Sequence, residues 1–298
     1  MIYEIVPPRR DTSRYNTELN GVEEVLGDTR IAAVNIPELF NRTGGEGTDA
    51  YSPATIPPEE YALLIKELKE PIVNVVAPRL ERKEFLNRTS RAINEYGIPN
   101  LIVVGKERRE DVLPGPSALE GLRLLGTQRV DGVALGGICI FNRETITTPE
   151  YGGGNSKLSE ASRVHLKAKA GCDFVTSQIT FDPSQVVDFL DSYQALCTKQ
   201  GANPLTVFIS LTTVPTRGIL SLLEDLDVFI PSGVRELLQG GGNMGEKSVE
   251  IATEVFNQVV ATLEKRENGV PIGLQIEQVG VKNDELSLDL LDRVYGLL

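Results

Sequence analysis

Short apolar runs alternate with longer amphipathic stretches from one end of the chain to the other. The apolar runs lie at 2–6, 31–35, 72–77, 101–104, 132–140, 174–181, 206–211 and 272–279. They are rich in Val, Ile and Phe and are too short for helices, so they predict eight buried strands. Between them, helical spacing covers 22–26, 59–68, 83–96, 118–125, 156–170, 183–200, 217–226, 246–267 and 286–298. In the second of these, Tyr61, Leu64, Ile65 and Leu68 form one apolar stripe. Asp182-Pro183 is a strong helix start, with Asp as cap and Pro in the first turn. Gly97 and Gly201 stand just past helix ends, where glycine is favoured. Strands alternating with helices imply parallel pairing and an α/β fold. Eight such units predict a closed (β/α)8 TIM barrel spanning 1–298 as a single domain, since no linker interrupts the alternation.

The first strand carries an anomaly. In Ile2-Tyr3-Glu4-Ile5-Val6-Pro7-Pro8 the side chains alternate, so Ile2, Glu4 and Val6 share one face. The Pro-Pro pair ends the ladder. A carboxylate among apolar neighbours is either held by an Arg or Lys from another strand or kept for chemistry. Barrel chemistry gathers at the C-terminal ends of the strands. There the chain places Glu4, Asn35, Arg79, Lys106 and Glu107, Asn142 and Arg143, Gln178, Thr212 and Thr213, and Glu277 and Gln278. The loop at 37–58 is too long for a plain connector, which marks it as functional or mobile. A second long polar loop covers 145–155. The three glycines within 132–140 suggest close approach by a neighbour or ligand.

Composition narrows the chemistry. The net charge of −12 disfavours nucleic acid and anionic membrane surfaces as partners. Three scattered cysteines, Cys139, Cys172 and Cys197, make neither a disulfide framework nor a CxxC metal pair, and a reducing cytoplasm is the expected location. The single histidine, His165, falls mid-helix and reads as a helix-face residue, which leaves a Ser-His-Asp triad without its base. No stretch has the length of a membrane span, and the chain opens directly on a strand with no signal-peptide pattern.

Two segments together resemble the methylenetetrahydrofolate reductase family. Tyr3-Glu4-Ile5-Val6-Pro7-Pro8-Arg9 looks like that family's opening strand. Lys167-Ala168-Lys169-Ala170-Gly171-Cys172 through Thr176-Ser177-Gln178-Ile179-Thr180-Phe181-Asp182 is similar to the stretch that closes a helix and forms its sixth strand. Ala77-Pro78-Arg79-Leu80 and 101–105 fall where weaker matches belong. The resemblance implies that 5,10-methylenetetrahydrofolate is reduced to 5-methyltetrahydrofolate. Glu4 would be the general acid that opens the five-membered ring to a 5-iminium cation. Gln178 would bind the pterin through an amide that both donates and accepts; the structural reading is an amide bonding a neighbour within a barrel layer. Glu107, Gln275 and Glu277 would complete the substrate site. Asn35, Arg79, Lys106, Asn142 and Lys167 would line the cofactor.

The departures concern the cofactor. The family's flavin signatures include an Arg-Gly-Asp run after strand four, where this chain has Gly105-Lys106-Glu107. They also include a Tyr-Pro-Glu-x-His-Pro-Glu run after strand five, where Gly137-Ile138-Cys139-Ile140-Phe141-Asn142-Arg143 stands. Acid and glutamine are kept while the FAD contacts are mostly absent. This pattern resembles the flavin-free, mycobacterial-type subgroup, with hydride passing directly from NADH or NADPH. Gly152-Gly153-Gly154 and Gly240-Gly241-Gly242 each precede a helix and read as a phosphate cradle or as a flexible turn. Two further readings stay open: a Schiff-base aldolase using Lys106, and a catalytically silent pterin- or nucleotide-binding subunit. The choice of NADH or NADPH, the pterin carrier and the oligomeric state are left open.

Overall fold

The computed structural model describes residues 1–8, 22, 25–41, 52–53, 55–106, 112–143, 158–279 and 284–297. Eight strands close a barrel: β1 (Ile2–Glu4), β2 (Ala33–Ile36), β5 (Glu70–Val76), β6 (Asn100–Val104), β7 (Ala134–Cys139), β8 (Phe174–Ser177), β9 (Thr206–Thr212) and β10 (Ile272–Glu277). The expected (β/α)8 fold is present. Two short strands, β3 (Phe40–Asn41) and β4 (Ser52–Pro53), form a separate antiparallel ribbon inside the stretch expected to be loop. By packing, the chain divides into two compact units, Met1–Leu135 and Gly136–Leu298.

The helices follow the capping chemistry. They are α1 (Pro58–Ile65), α2 (Arg82–Asn94), α3 (Ala118–Thr127), α4 (Glu160–Lys169), α5 (Pro183–Gln200), α6 (Arg217–Asp225), α7 (Ser232–Gln239), α8 (Met244–Arg266) and α9 (Asp284–Tyr295). Asp182 caps α5 by accepting from the Ser184 N–H at 2.9 Å. Gly201 closes it in the left-handed region at φ 60°. Ser117 and Thr216 cap α3 and α6 in the same way. Helix α7 is not foreshadowed by the periodicity, because eight residues entered through Pro231 and carrying Gly233 give too few apolar repeats.

In the Met1–Leu135 unit, β1, β2, β5 and β6 pair in parallel, with Glu4 opposite Asn35, Asn35 opposite Ile72 and Ile72 opposite Asn100. Alternation therefore sorts the side chains. Tyr3, Val34, Ile36, Val73, Val75, Leu101 and Val103 share one face and are buried. Helix α3 lies on that face, where a Cβ on Gly121 would stand 3.0 Å from Val103 Cγ1 and 3.2 Å from the Phe85 ring. Glu4, Asn35, Asn74 and Asn100 share the opposite, inner face.

In the Gly136–Leu298 unit the register Gln275–Ser210 and Glu277–Thr212 again divides the residues. Val207, Ile209, Leu211, Leu274 and Ile276 make an apolar face. Thr176, Ser210, Thr212, Gln275 and Glu277 make a polar one. Below that polar layer Phe208 lies where a Cβ on Gly273 would come within 2.5 Å of its ring, so only glycine fits there. Phe174 meets Phe208 edge-on at 5.8 Å. Helices α6, α7 and α8 gather around Phe181, Val214, Ile219, Leu223 and Leu238.

A buried ion cluster fastens the first unit. Arg88 on α2 bonds Glu59 on α1 at 2.8 Å through both nitrogens of its fork, and it also meets Glu38, just past β2. The Glu38 carboxylate in turn accepts the Val76 N–H at 2.8 Å, at the C-terminal end of β5. Burial alone would push the Glu59 carboxyl up, yet its hydrogen bonds and charge contact with Arg88 hold it below the usual range. Arg88→Met leaves the Glu38 and Glu59 carboxylates without their guanidinium partner. Urea unfolding at pH 7 is expected to show a loss of about 3–5 kcal/mol. Because the depressed carboxyl stabilises the wild type above the ordinary Glu pKa, that difference shrinks as pH falls through the lowered value.

Candidate functional site

In the first unit the expected acid is where a barrel site would need it. Glu4 is the last residue of β1 and is buried. The Asn35 amide donates to Glu4 Oε2 at 3.1 Å. That bond orients Asn35 and aims its Oδ1 away from the carboxyl, where it is buried without a hydrogen-bond partner. Two residues further on the next strand's inner face, Asn74 Oδ1 is likewise buried and unsatisfied. Buried polar atoms are seldom left so, and two amide oxygens on one face call for a donor from outside the protein. Asn74 was not among the sequence candidates. Its signal was available, because an amide inside Ile72-Val73-Asn74-Val75-Val76 is as anomalous as Glu4 in its strand. Asn100, lower on the same face, is occupied by Glu70 at 2.6 Å and is structural.

Arg79 lies half-buried in the turn Ala77–Arg79 after β5. Lys106 follows β6 and is exposed. Glu107 lies outside the described residues, as does the loop at 145–155 with Gly152-Gly153-Gly154.

In the second unit, Glu277 ends β10 and keeps part of its surface open. Gln275 Nε2 donates to Glu277 Oε1 at 2.9 Å, and Thr212 Oγ1 donates to the Glu277 backbone carbonyl at 2.7 Å. Gln275 Oε1 is buried with no partner. Burial pushes the Glu277 carboxyl up to about 7, against the opposing hydrogen bonds from Ser210 and Gln275. Gln178 follows β8. Its backbone N–H bonds Cys139 O, and its side-chain amide donates to Leu226 O at 3.0 Å, tying it to the end of α6. The structure thus gives this glutamine a partner within the protein.

Around β7 a second set of charges is packed. Glu160, 5% exposed, accepts from the Ile140 N–H at 3.1 Å and lies 3.6 Å from Arg163 and 3.8 Å from Arg143. Lys167, 3% exposed, donates to the Ile138 carbonyl, so its ammonium is engaged with strand β7. Asn142 sits half-buried in the following turn. Gly240-Gly241-Gly242 makes a tight turn into α8, with Gly241 and Gly242 at positive φ. Lys247 donates to Leu237 O and Gly241 O across that turn, while Asn243 accepts from the first amides of the helix. Those donors are already used, which favours the turn reading over a phosphate cradle. Among the described residues no group of three or more His, Cys, Asp or Glu is placed to hold a metal ion, and no helix is long and apolar enough to cross a membrane.

Solved structures share this fold. A protein from Clostridium thermocellum that binds two copies of 5-methyl-5,6,7,8-tetrahydrofolic acid is similar over 100% of this chain and 95% of its own, at 22% identity and a TM-score of 0.78. The Bacillus cereus spore cortex-lytic enzyme SleL is similar over 98% of this chain and 73% of its own, at 11% identity and a TM-score of 0.51. At such identities the likeness is one of fold. No family model matches the chain, and no curated protein does.

The raised Glu277 carboxyl has a measurable cost. Between the ordinary carboxyl value of 4.5 and the folded value of about 7, the folded state keeps a proton that the unfolded state releases. Wild-type stability should therefore fall as pH rises through this window. Glu277→Gln lacks the effect, and its stability relative to wild type is expected to rise by at most about 3 kcal/mol between pH 4.5 and pH 8, measured by chemical denaturation at both.

Proposed function

We propose that the protein binds a reduced folate and reduces 5,10-methylenetetrahydrofolate to 5-methyltetrahydrofolate with a hydride from NADH or NADPH. The observation that carries this reading is the buried Glu4 at the end of β1, oriented by Asn35, on a face whose amide oxygens lack donors. The shared motifs at Glu4 and Gln178 support the reaction class. The fold shared with a protein that binds 5-methyltetrahydrofolic acid supports the ligand class.

In this reaction the Glu4 carboxylic acid protonates the ring nitrogen that leaves the methylene bridge. The C–N bond breaks and a 5-iminium cation forms. The nicotinamide then gives its hydride to the methylene carbon, which becomes the methyl group, and the oxidised nucleotide departs. The Glu4 carboxylate left behind is an anion beside the developing cation, which lowers the barrier to ring opening. Asn35 keeps the carboxyl in one orientation through both stages.

The residues do not suit a flavin. Lys167, which the resemblance would bring to the flavin phosphates, is committed to the Ile138 carbonyl. Strand β7 ends in Cys139 and leads into Phe141 and Asn142, with no histidine. Direct transfer from the nicotinamide is the reading these residues support.

Purified protein is expected to show no flavin absorbance and to oxidise NAD(P)H only when methylenetetrahydrofolate is present. Glu4→Gln should lower kcat by about 10²-fold or more, as expected for loss of a general acid, with nucleotide binding unchanged by calorimetry. Near-normal turnover in Glu4→Gln removes the acid assignment, and stoichiometric flavin required for activity removes direct transfer.

A further inference from the structure

The end of β10 holds a buried acceptor without a donor. Gln275 and Glu277 lie on one face, two residues apart, opposite Ser210 and Thr212. The Gln275 amide is oriented by its own bond, Nε2 to Glu277 Oε1 at 2.9 Å. Turning the amide over would set its oxygen against the carboxylate, so the orientation with Oε1 facing away is the favoured one. Gln275 is 1% exposed and that oxygen has no partner. Thr212 Oγ1 holds the Glu277 carbonyl at 2.7 Å, so the strand end that carries the pair is fixed. The apolar Phe174–Phe208 pair belongs to the same face nearer the strand starts.

We propose that Gln275 and Glu277 bind the amino-oxo-pyrimidine edge of a pterin, reading its ring N–H and exocyclic amino group as two adjacent donors. This rests on the reduced-folate reading above and names the part of the folate that the unit recognises. The chemistry selects among the two reactants. A nicotinamide carboxamide presents one donor and one acceptor, and its oxygen would face another acceptor here. Phosphate and carboxylate groups would be repelled by Glu277. The pyrimidine edge presents its ring N–H and amino group as adjacent donors beside the 4-oxo acceptor, and a carboxylate takes two parallel N–H bonds from such a pair of donors as it does from a guanidinium. The same edge supplies the donor that Gln275 Oε1 lacks.

Isothermal titration at pH 8 of wild type, Glu277→Gln and Gln275→Leu separates the outcomes. The probes are 5-methyltetrahydrofolate, its analogue with hydrogen in place of the 2-amino group, and NADH. Loss of a buried charged partner predicts that Glu277→Gln weakens 5-methyltetrahydrofolate by about 30-fold or more. Gln275→Leu should weaken it about 10-fold, the effect of losing one buried hydrogen bond. The 2-desamino analogue, which keeps the ring N–H but not the amino donor, should lose less affinity on Glu277→Gln than 5-methyltetrahydrofolate does, because only one N–H is left to engage the carboxylate. NADH affinity should be unchanged in both variants. Unchanged folate affinity in both variants overturns the assignment while leaving the folate reading intact, and so does a loss confined to NADH. Wild-type protein that binds no 5-methyltetrahydrofolate overturns the folate reading and this assignment with it.

Discussion

A buried polar group must find a partner, and this requirement governs the inner face of the sheet. In each unit the strands present an apolar face and a polar one, and the polar residues are amides, hydroxyls and carboxyls. Near the strand starts they satisfy each other, as Asn100 does with Glu70. Towards the strand ends the account stops closing. Asn35, Asn74 and Gln275 each leave an amide oxygen buried without a donor. An unmet hydrogen bond costs stability on folding, and a ligand that supplies the missing donor recovers it on binding. The unsatisfied atoms therefore mark where the molecule is completed from outside.

The charged groups sort by the same principle. Arg88, Glu38 and Glu59 meet one another in good geometry and tie α1, α2 and the end of β5 together. Lys167 and Glu160 are engaged with backbone groups of β7 and the residue after it. These clusters are structural. Glu4 and Glu277 each accept from a side-chain amide, Glu4 from Asn35 and Glu277 from Gln275, and both stand at the last residue of a strand. A carboxyl that accepts from a neutral amide can accept a further N–H from a ligand. For Glu277, burial pushes the carboxyl up to about 7 against the hydrogen bonds that oppose it.

The proposed chemistry uses the two features differently. In the proposed reaction Glu4 would supply a proton to a leaving nitrogen, so its role is read in turnover. Gln275 and Glu277 recognise an edge that does not react, so theirs is read in affinity. The proposed flavin-free route rests on the residues at the end of β7. Lys167 is engaged there, and the chain continues through Phe141 and Asn142 rather than through a histidine-bearing motif.

Much of the architecture was legible in the sequence, because strand and helix periods and cap residues act locally. The eight strands, the Asp182 cap, the Gly201 stop and the singular acid in the first strand were all readable there. The C-terminal end of β8, at Ser177 rather than 181, and the existence of α7 were not. Where a strand stops depends on its neighbour's register, and an eight-residue helix is stabilised by packing more than by its own pattern. Partners were also beyond reach. Sequence named Gln178, Lys167, Gln275 and Glu277 as equals. Only the tertiary structure bonded the first two to Leu226 and Ile138 and left Gln275 with an open oxygen. Residue type sets what a side chain can donate or accept; which of those bonds the protein itself completes depends on atoms that are distant in the chain and close in space.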